Sequence, residues 1–445
     1  MSLGRAVHQK PGEPGRNAGG RGEAEPEAVR DEARTARHAT GSPGRDGLLA
    51  QALAKANMEA AWKRVKSNRG SAGVDGLSIA ETAEHLRTHW PRIRESLLDG
   101  NYRPLPVRRV QIPKPEGGVR ELGIPTVTDR LIQQALLQVL QRIIDPTFSE
   151  HSYGFRPGRR AHDAVLDAQR YVQDGYRVVV DVDLERFFDR VNHDILMERL
   201  ARRIDDKAVL RLIRRYLVAG IMDGGVVMAR YEGTPQGGPL SPLLANVLLD
   251  EVDRELERRG HRFVRYADDC NVYVRSRRVG ERVLAGLTKL YERLHLKVNE
   301  VKTAVAPATG RKFLGYELWR SAGDRIKCAV ARKALATFRQ RIRQLTRRSG
   351  GRNLSEIAER LRAYMPGWKA YFQLAQTPKV FRELDEWIRH RLRAVQLKHW
   401  RRGTTMYREL KAMGASDTDA YRIATNSRRW WRNSRFALNL SLIHI

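Results

Sequence analysis

The chain has little cysteine and no long apolar run. Cys270 and Cys328 are the only cysteines among 445 residues, which excludes a disulfide framework and a paired-cysteine zinc ribbon. No stretch approaches the roughly 18 consecutive apolar residues that cross a bilayer, and the N-terminus lacks the apolar core of a signal peptide. No membrane partner is expected. Acids are scarce too: 51 Asp and Glu face 82 Lys and Arg, a formal net charge of +31. An imbalance of that size points to a polyanionic partner. Residues 1–45 have almost no large apolar side chains and are rich in Gly, Pro, Arg, Glu and Ala. Such a segment cannot bury enough surface to offset its ordering entropy, and a disordered tail is expected there.

The rest of the chain is ordinary in hydrophobic content, 41%, and long enough for two or three units with cores of their own. Apolar spacing predicts a helix from Leu48 to about Arg64, ended by the loop Gly70–Gly76. Tyr102 to Pro125 alternates apolar runs with cations and predicts two strands joined by a Gly-containing turn. Leu131, Ala135, Leu136, Val139, Leu140 and Ile143 then fall at helical spacing. Arg177 to Asp183 predicts a buried strand, and Leu335, Phe338, Ile342 and Leu345 form one helical stripe. Residues 331–402 carry 19 Lys and Arg against 5 Asp and Glu, nearly half the net charge in about a sixth of the chain. Trp368, Tyr371, Phe372, Trp387 and Trp400 are interleaved with these cations, a pattern that suits nucleic-acid binding.

Three segments carry chemistry. In Tyr266-Ala267-Asp268-Asp269, two adjacent acids stand between the apolar runs Phe263-Val264 and Asn271-Val272-Tyr273-Val274, which predicts a hairpin with both carboxylates at its turn. Neighbouring acids repel unless a cation lies between them, and a hard divalent cation such as Mg2+ suits carboxylate oxygens. Val178-Val179-Val180-Asp181-Val182-Asp183 is a β-branched strand with two acids on one face. An acid on a buried strand is costly unless paired or metal-bound. With that face beside the Asp268-Asp269 hairpin, three carboxylates converge, a donor set for two Mg2+ and phosphoryl transfer. The third segment, Glu232-Gly233-Thr234-Pro235-Gln236-Gly237-Gly238-Pro239-Leu240-Ser241-Pro242, predicts a constrained loop where another backbone or a ligand approaches closely, leading into a helix N-terminus.

These motifs, in this order, resemble the reverse transcriptases encoded by bacterial group II introns, the intron maturases. The resemblance rests on Arg108–Pro115, Leu122–Pro125, Ser152–Pro157, Asp183–Asp189, Thr234–Gly238, Tyr266–Asp269, Lys302-Thr303 and Phe313–Tyr316, and spans about 48–439. It implies an α+β right-hand polymerase, with fingers and an antiparallel palm sheet packed on helices over 46–325. An α-helical thumb, or maturase domain X, follows over 326–402, and a basic C-terminal segment, truncated, over 403–445. It further implies Asp183, Asp268 and Asp269 as catalytic metal ligands, with Asp181 beside them. Phe188 takes the place of the aromatic gate against a ribose 2′-hydroxyl, and Gln236 lies near the templating pair. Lys302 approaches the pyrophosphate, while Lys114 and Arg120 neutralise the incoming triphosphate.

For RNA binding the resemblance implies Arg156, Trp368, Lys369, Arg389, Arg391 and Arg393. The implied partners are a group II intron RNA, an RNA template with a DNA primer, dNTPs and a DNA target site, in the bacterial cytoplasm near the nucleoid. The chain lacks the paired cysteines of a His-Asn-His endonuclease, so it resembles the branch without one. Alternatives remain open at this point. One is a splicing factor without polymerase activity, which the intact acids disfavour. Another is a retron or diversity-generating enzyme, disfavoured by the basic extension and by Ser241-Pro242.

Overall fold

The computed structural model describes residues 47–113, 119–223, 225–228, 231–234 and 237–435. The expected tail at 1–45, Lys114, Gln236 and the segment 436–445 lie outside the described residues.

The first predicted helix is two, α1 (Leu48–Ala52) and α2 (Lys55–Ser67). Helix α3 (Ile79–Leu98) starts on a capping box between Ser78 and Glu81. Strands β1 (Val107–Pro113) and β2 (Val119–Ile124) pair antiparallel, from Arg108 opposite Ile124 to Pro113 opposite Val119. Then come α4 (Val127–Ile144), α5 (Ala161–Gln173), β3 (Val178–Val182), α6 (His193–Ala201), α7 (Lys207–Val218) and the short hairpin of β4 (Ile221–Asp223) and β5 (Val226–Met228). Strand β4 lies parallel to β1, so the first sheet has the order β2-β1-β4-β5.

The second sheet positions the site. After α8 (Ser241–Arg258) come β6 (Arg262–Tyr266), β7 (Asp269–Val274), α9 (Arg277–Arg293) and β8 (Ala304–Pro307). Its order is β6-β7-β3-β8, antiparallel throughout. Alternation assigns the faces. Val180, Val182, Phe263, Val272 and Val274 pack into the core shared with α4, α8 and α9. Val179, Val264 and Tyr273 pack on the other side, against α5 and a third sheet. With both faces covered, β3 reads as an almost continuous apolar run, which makes its two acids conspicuous.

The third sheet, β11-β10-β9, is built from β9 (Lys312–Phe313), β10 (Tyr316–Arg320) and β11 (Ile326–Val330). Beyond it, α10 (Arg332–Leu345), α11 (Leu354–Tyr371) and α12 (Pro378–Trp400) enclose a core of their own around Phe338, Ile342, Leu361, Leu384 and Leu392. Helices α13 (Gly403–Ala412), α14 (Asp417–Thr425) and α15 (Trp430–Asn433) close a smaller cluster around Met406, Leu410 and Ile423.

Candidate polymerase active site

Strands β6 and β7 form the expected hairpin. Tyr266 pairs with Asp269, leaving Ala267-Asp268 as a two-residue turn. Ala267 has φ +58, the positive first position of a type II′ turn, strained for a residue with a side chain. The structure holds this turn from beneath. Arg265 is fully buried, and its Nη1 donates to the Ala267 carbonyl and to Asn246 Oδ1, both at 2.9 Å. Its Nη2 donates to Ser152 Oγ at 2.7 Å, and its Nε donates to Asp253 of α8 at 2.8 Å. Asn246 in turn donates to the Gly154 carbonyl at 2.9 Å. A Cβ on Gly154 would lie 2.2 Å from the Ala267 nitrogen, so only glycine lets the 151–154 loop pass under the turn. Sequence reading missed Arg265. The available signal was a cation inside the apolar strand Phe263–Tyr266, where a buried charge needs partners.

Asp183 stands one residue past the end of β3. The loop between α9 and β8 clasps it: the Asp183 amide donates to Thr303 Oγ1 at 3.1 Å, and the Asn299 amide donates to the Asp183 carbonyl at 2.8 Å. Lys302 Nζ lies 3.5 Å from Asp183 Oδ2, so this ammonium rests on the carboxylate. Asp181 is half-buried and paired with Arg311 at 2.8 Å. Arg311 also donates to the Lys302 carbonyl at 3.1 Å, tying Asp181 to the Lys302 loop.

The four acids feel one another. Lost hydration first, then the charges of Asp268, Asp181 and Asp183, push the Asp269 carboxyl up to about 6, although that side chain still touches solvent. Burial, reinforced by Asp183, also raises Asp268, and Arg120 of β2 opposes that rise. Among the described residues, no three His, Cys, Asp or Glu side chains stand close enough to form a ready-made metal site. The donor chemistry nonetheless fits a hard divalent cation: oxygen ligands only, gathered where charge repulsion is incompletely compensated.

A pH dependence follows. Asp269 binds its proton more tightly folded than unfolded, so its charge penalises the fold at neutral pH, and that penalty fades as pH falls through about 6. In a chelator, Asp269→Asn is expected to melt above the parent at pH 7.5, with the gap narrowing at pH 5.5. Thermal unfolding at the two pH values checks this, and a gap that widens on acidification contradicts it.

Phe187 is buried, whereas Phe188 is half-buried with its ring edge-on to Phe187 at 5.1 Å. The glycine-rich loop packs against this turn. The Thr234 amide donates to the Phe188 carbonyl at 2.7 Å, and a Cβ on Gly233 would meet the same carbonyl at 2.9 Å. The close backbone approach expected of this loop is therefore present, and α8 starts just after it, at Ser241.

Comparison with known proteins agrees with this geometry. Residues 112–318 match the reverse transcriptase (RNA-dependent DNA polymerase) family, and residues 335–414 match the group II intron maturase-specific domain. The chain carries a reverse transcriptase region followed by a group II intron maturase-specific region. It is 41% identical over 191 residues to protein YkfC of Escherichia coli, covering 42% of this chain and 50% of that one. It is 40% identical over 196 residues to the group II intron-encoded protein LtrA of Lactococcus lactis, covering 44% of this chain and 32% of that one. A putative COX1/OXI3 intron 1 protein of Saccharomyces cerevisiae is 33% identical over 199 residues, covering 44% of this chain and 24% of that one. The chain thus spans half or less of these relatives. Reverse transcriptases generally use divalent metals, and among the described residues no helix is long and apolar enough to cross a membrane.

Several of the expected RNA contacts are engaged within the fold. Arg156 is buried, and its guanidinium is spent on Asp145 (3.0 Å) and on the carbonyls of Ser149 and Ser152 (2.5 and 3.0 Å). It braces the loop beneath the Ala267-Asp268 turn rather than offering a basic surface. Trp368 packs among Phe338, Phe372 and Phe381, with ring centroids 4.1 Å from Phe338. Arg391 donates to Thr346 Oγ1 at 2.7 Å and lies over Trp387, while Arg393 donates to the Ser434 carbonyl at 3.0 Å. All three hold helices together. Lys369 and Arg389 are exposed, Arg389 paired with Asp385 at 2.9 Å.

Proposed function

We propose that the chain is an RNA-directed DNA polymerase that extends a DNA primer on an RNA template with dNTPs, and that it assists splicing and mobility of its group II intron RNA at a DNA target. The observation that carries this reading is the strand register: Val182 lies opposite Cys270, which sets Asp183, just past β3, at the same end of a doubly covered sheet as the Asp268-Asp269 turn. These residues would hold two Mg2+, which when bound supply Lewis acidity to the attacking and leaving oxygens. The protein's own part is positioning and charge. Arg265 and Gly154 fix the turn that carries Asp268. Thr303 and Asn299 fix the Asp183 backbone. Arg120, whose charge reaches Asp268, is suited to an incoming triphosphate. Lys302, resting on Asp183, is within a short swing of a departing pyrophosphate. The basic helices after residue 331 would grip RNA and the primer–template duplex.

Incorporation of dTTP into oligo(dT) annealed to poly(rA), with Mg2+, tests the polymerase reading, and the absence of incorporation counts against it. Sugar selection supplies a second test. Phe188, half-buried with its ring edge-on to Phe187, would be the gate that meets a ribose 2′-hydroxyl. Phe188→Ala is expected to raise ribonucleotide incorporation about tenfold or more relative to dNTP, a difference of ~1.4 kcal/mol. Unchanged selectivity in competing dNTP and rNTP reactions would make Phe188 a packing residue only.

A further inference from the structure

Helix α9 covers the sheet with Gly280, Val283, Leu287, Leu290 and Tyr291. Its opposite face is a row of cations. Arg278, Arg282, Lys289 and Arg293 are all exposed, and at about 100° per residue they fall within about 60° of one another around the helix. Among the described residues none of the four makes an ion pair. The acids on this helix lie to one side: Glu281, engaged with Arg277 at 3.0 Å, and Glu292.

A separate basic pair stands at the far end of β6 and β7, on the Tyr273 side of the sheet. Arg275 stands with its guanidinium 4.7 Å from the Tyr176 ring, and Arg262, at the start of β6, is exposed beside it. Both arginines stand close enough to the Tyr176 phenol to hold it below its usual range. Arg262 and Arg275 converge on one neutral group, with no carboxylate between them. The first turn of α9 contains no acid while carrying Arg277 and Arg278, against the preference of a helix dipole. Like charges held this way cost stability unless an anion spans them. Only the N-terminal end of the stripe is far from the carboxylates: six residues of extended chain, about 20 Å, separate Asp269 from Arg275, just before α9.

We propose that the outward face of α9 is a second RNA-contact surface that takes backbone phosphates of a folded RNA strand distinct from the one in the carboxylate site. Exposed cations without acid partners match a polyanion by charge, and a stripe about 22 Å long, from Arg278 to Arg293, spans several phosphates. The contact is sequence-independent, and its role is to position a structured RNA on the enzyme.

The test is Arg278→Gln/Arg282→Gln/Lys289→Gln/Arg293→Gln in the full chain, with binding measured against a long folded RNA transcript across a salt series and no nucleotides present. The plot of log affinity against log salt is expected to become shallower by about 3, since each of the four lost phosphate contacts removes roughly 0.7–0.9. Affinity near 0.1 M salt should fall about 10- to 100-fold, while the melting temperature and extension of oligo(dT) on a short oligo(rA) stay at the parent's level. Affinity and slope equal to the parent's overturn the proposal and leave the stripe to an acidic protein. If the quadruple variant melts early, Arg278→Gln/Lys289→Gln asks the same question at about half the change in slope. Because binding is read without catalysis, failure of the polymerase reading would leave this outcome interpretable.

Discussion

Asp268→Asn is expected to lower DNA synthesis at least about a thousandfold, ~4 kcal/mol of barrier, while affinity for RNA stays within about twofold. The carboxylate sits at a turn whose conformation is set by the backbone and by Arg265, not by the Asp268 side chain, so the amide should be accommodated without a change of shape. What is lost is a charged oxygen ligand where phosphoryl transfer needs one. RNA affinity is spread over many exposed cations, none of which is Asp268, and phosphate contacts are individually small. Primer extension and filter binding on the same preparation check both halves. Equal losses in the two would assign the effect to the fold rather than to the chemistry.

Arg265→Met carries the second large expectation. The Arg265–Asp253 pair is fully buried at both side chains, and Asp250 and Glu257 add further negative charge around Asp253. Removing one partner of a buried pair strands the other, at a cost of about 3–5 kcal/mol. Replacing both, as Arg265→Met/Asp253→Leu, removes the stranded charge, and much of the stability should return. Activity should not return with it. The double variant still lacks the donor to the Ala267 carbonyl and the links to Asn246 and Ser152, so the turn bearing Asp268 is no longer held. Denaturant unfolding and primer extension separate the two effects. A double variant that regains both stability and activity would reduce Arg265 to a packing element.

The site was legible in the sequence where local pattern and chemistry coincide. The hairpin over 262–274 announces itself by alternation on both sides of a doubled acid, and β3 by a β-branched run that acids interrupt. Contacts distant in the chain left no such mark. Strand β4 joins β1 in parallel across more than a hundred residues, and nothing local in Ile221–Asp223 encodes that partner. Arg156 and Trp368 show the converse limit. A basic residue in a Gly-Phe-Arg-Pro segment looks the same whether it meets phosphate or folds back on Asp145 and the Ser149 carbonyl. For Trp368 the helical spacing of Tyr364, Trp368 and Phe372 beside Phe338 was a packing signal, and the surrounding cations outweighed it. Helix α9 was absent from the sequence reading altogether. Its cations are spaced evenly along 278–293, and only the buried face opposite shows that they share a side.

The most direct test of the central claim is incorporation of dTTP on poly(rA) primed with oligo(dT), run with Mg2+ for the parent and for Asp268→Asn side by side. Template-dependent synthesis by the parent, abolished in the variant while RNA binding persists, is the predicted result. An inactive parent that still binds RNA tightly and in a salt-sensitive way would contradict it, and would make the chain a splicing factor whose acids no longer serve polymerisation.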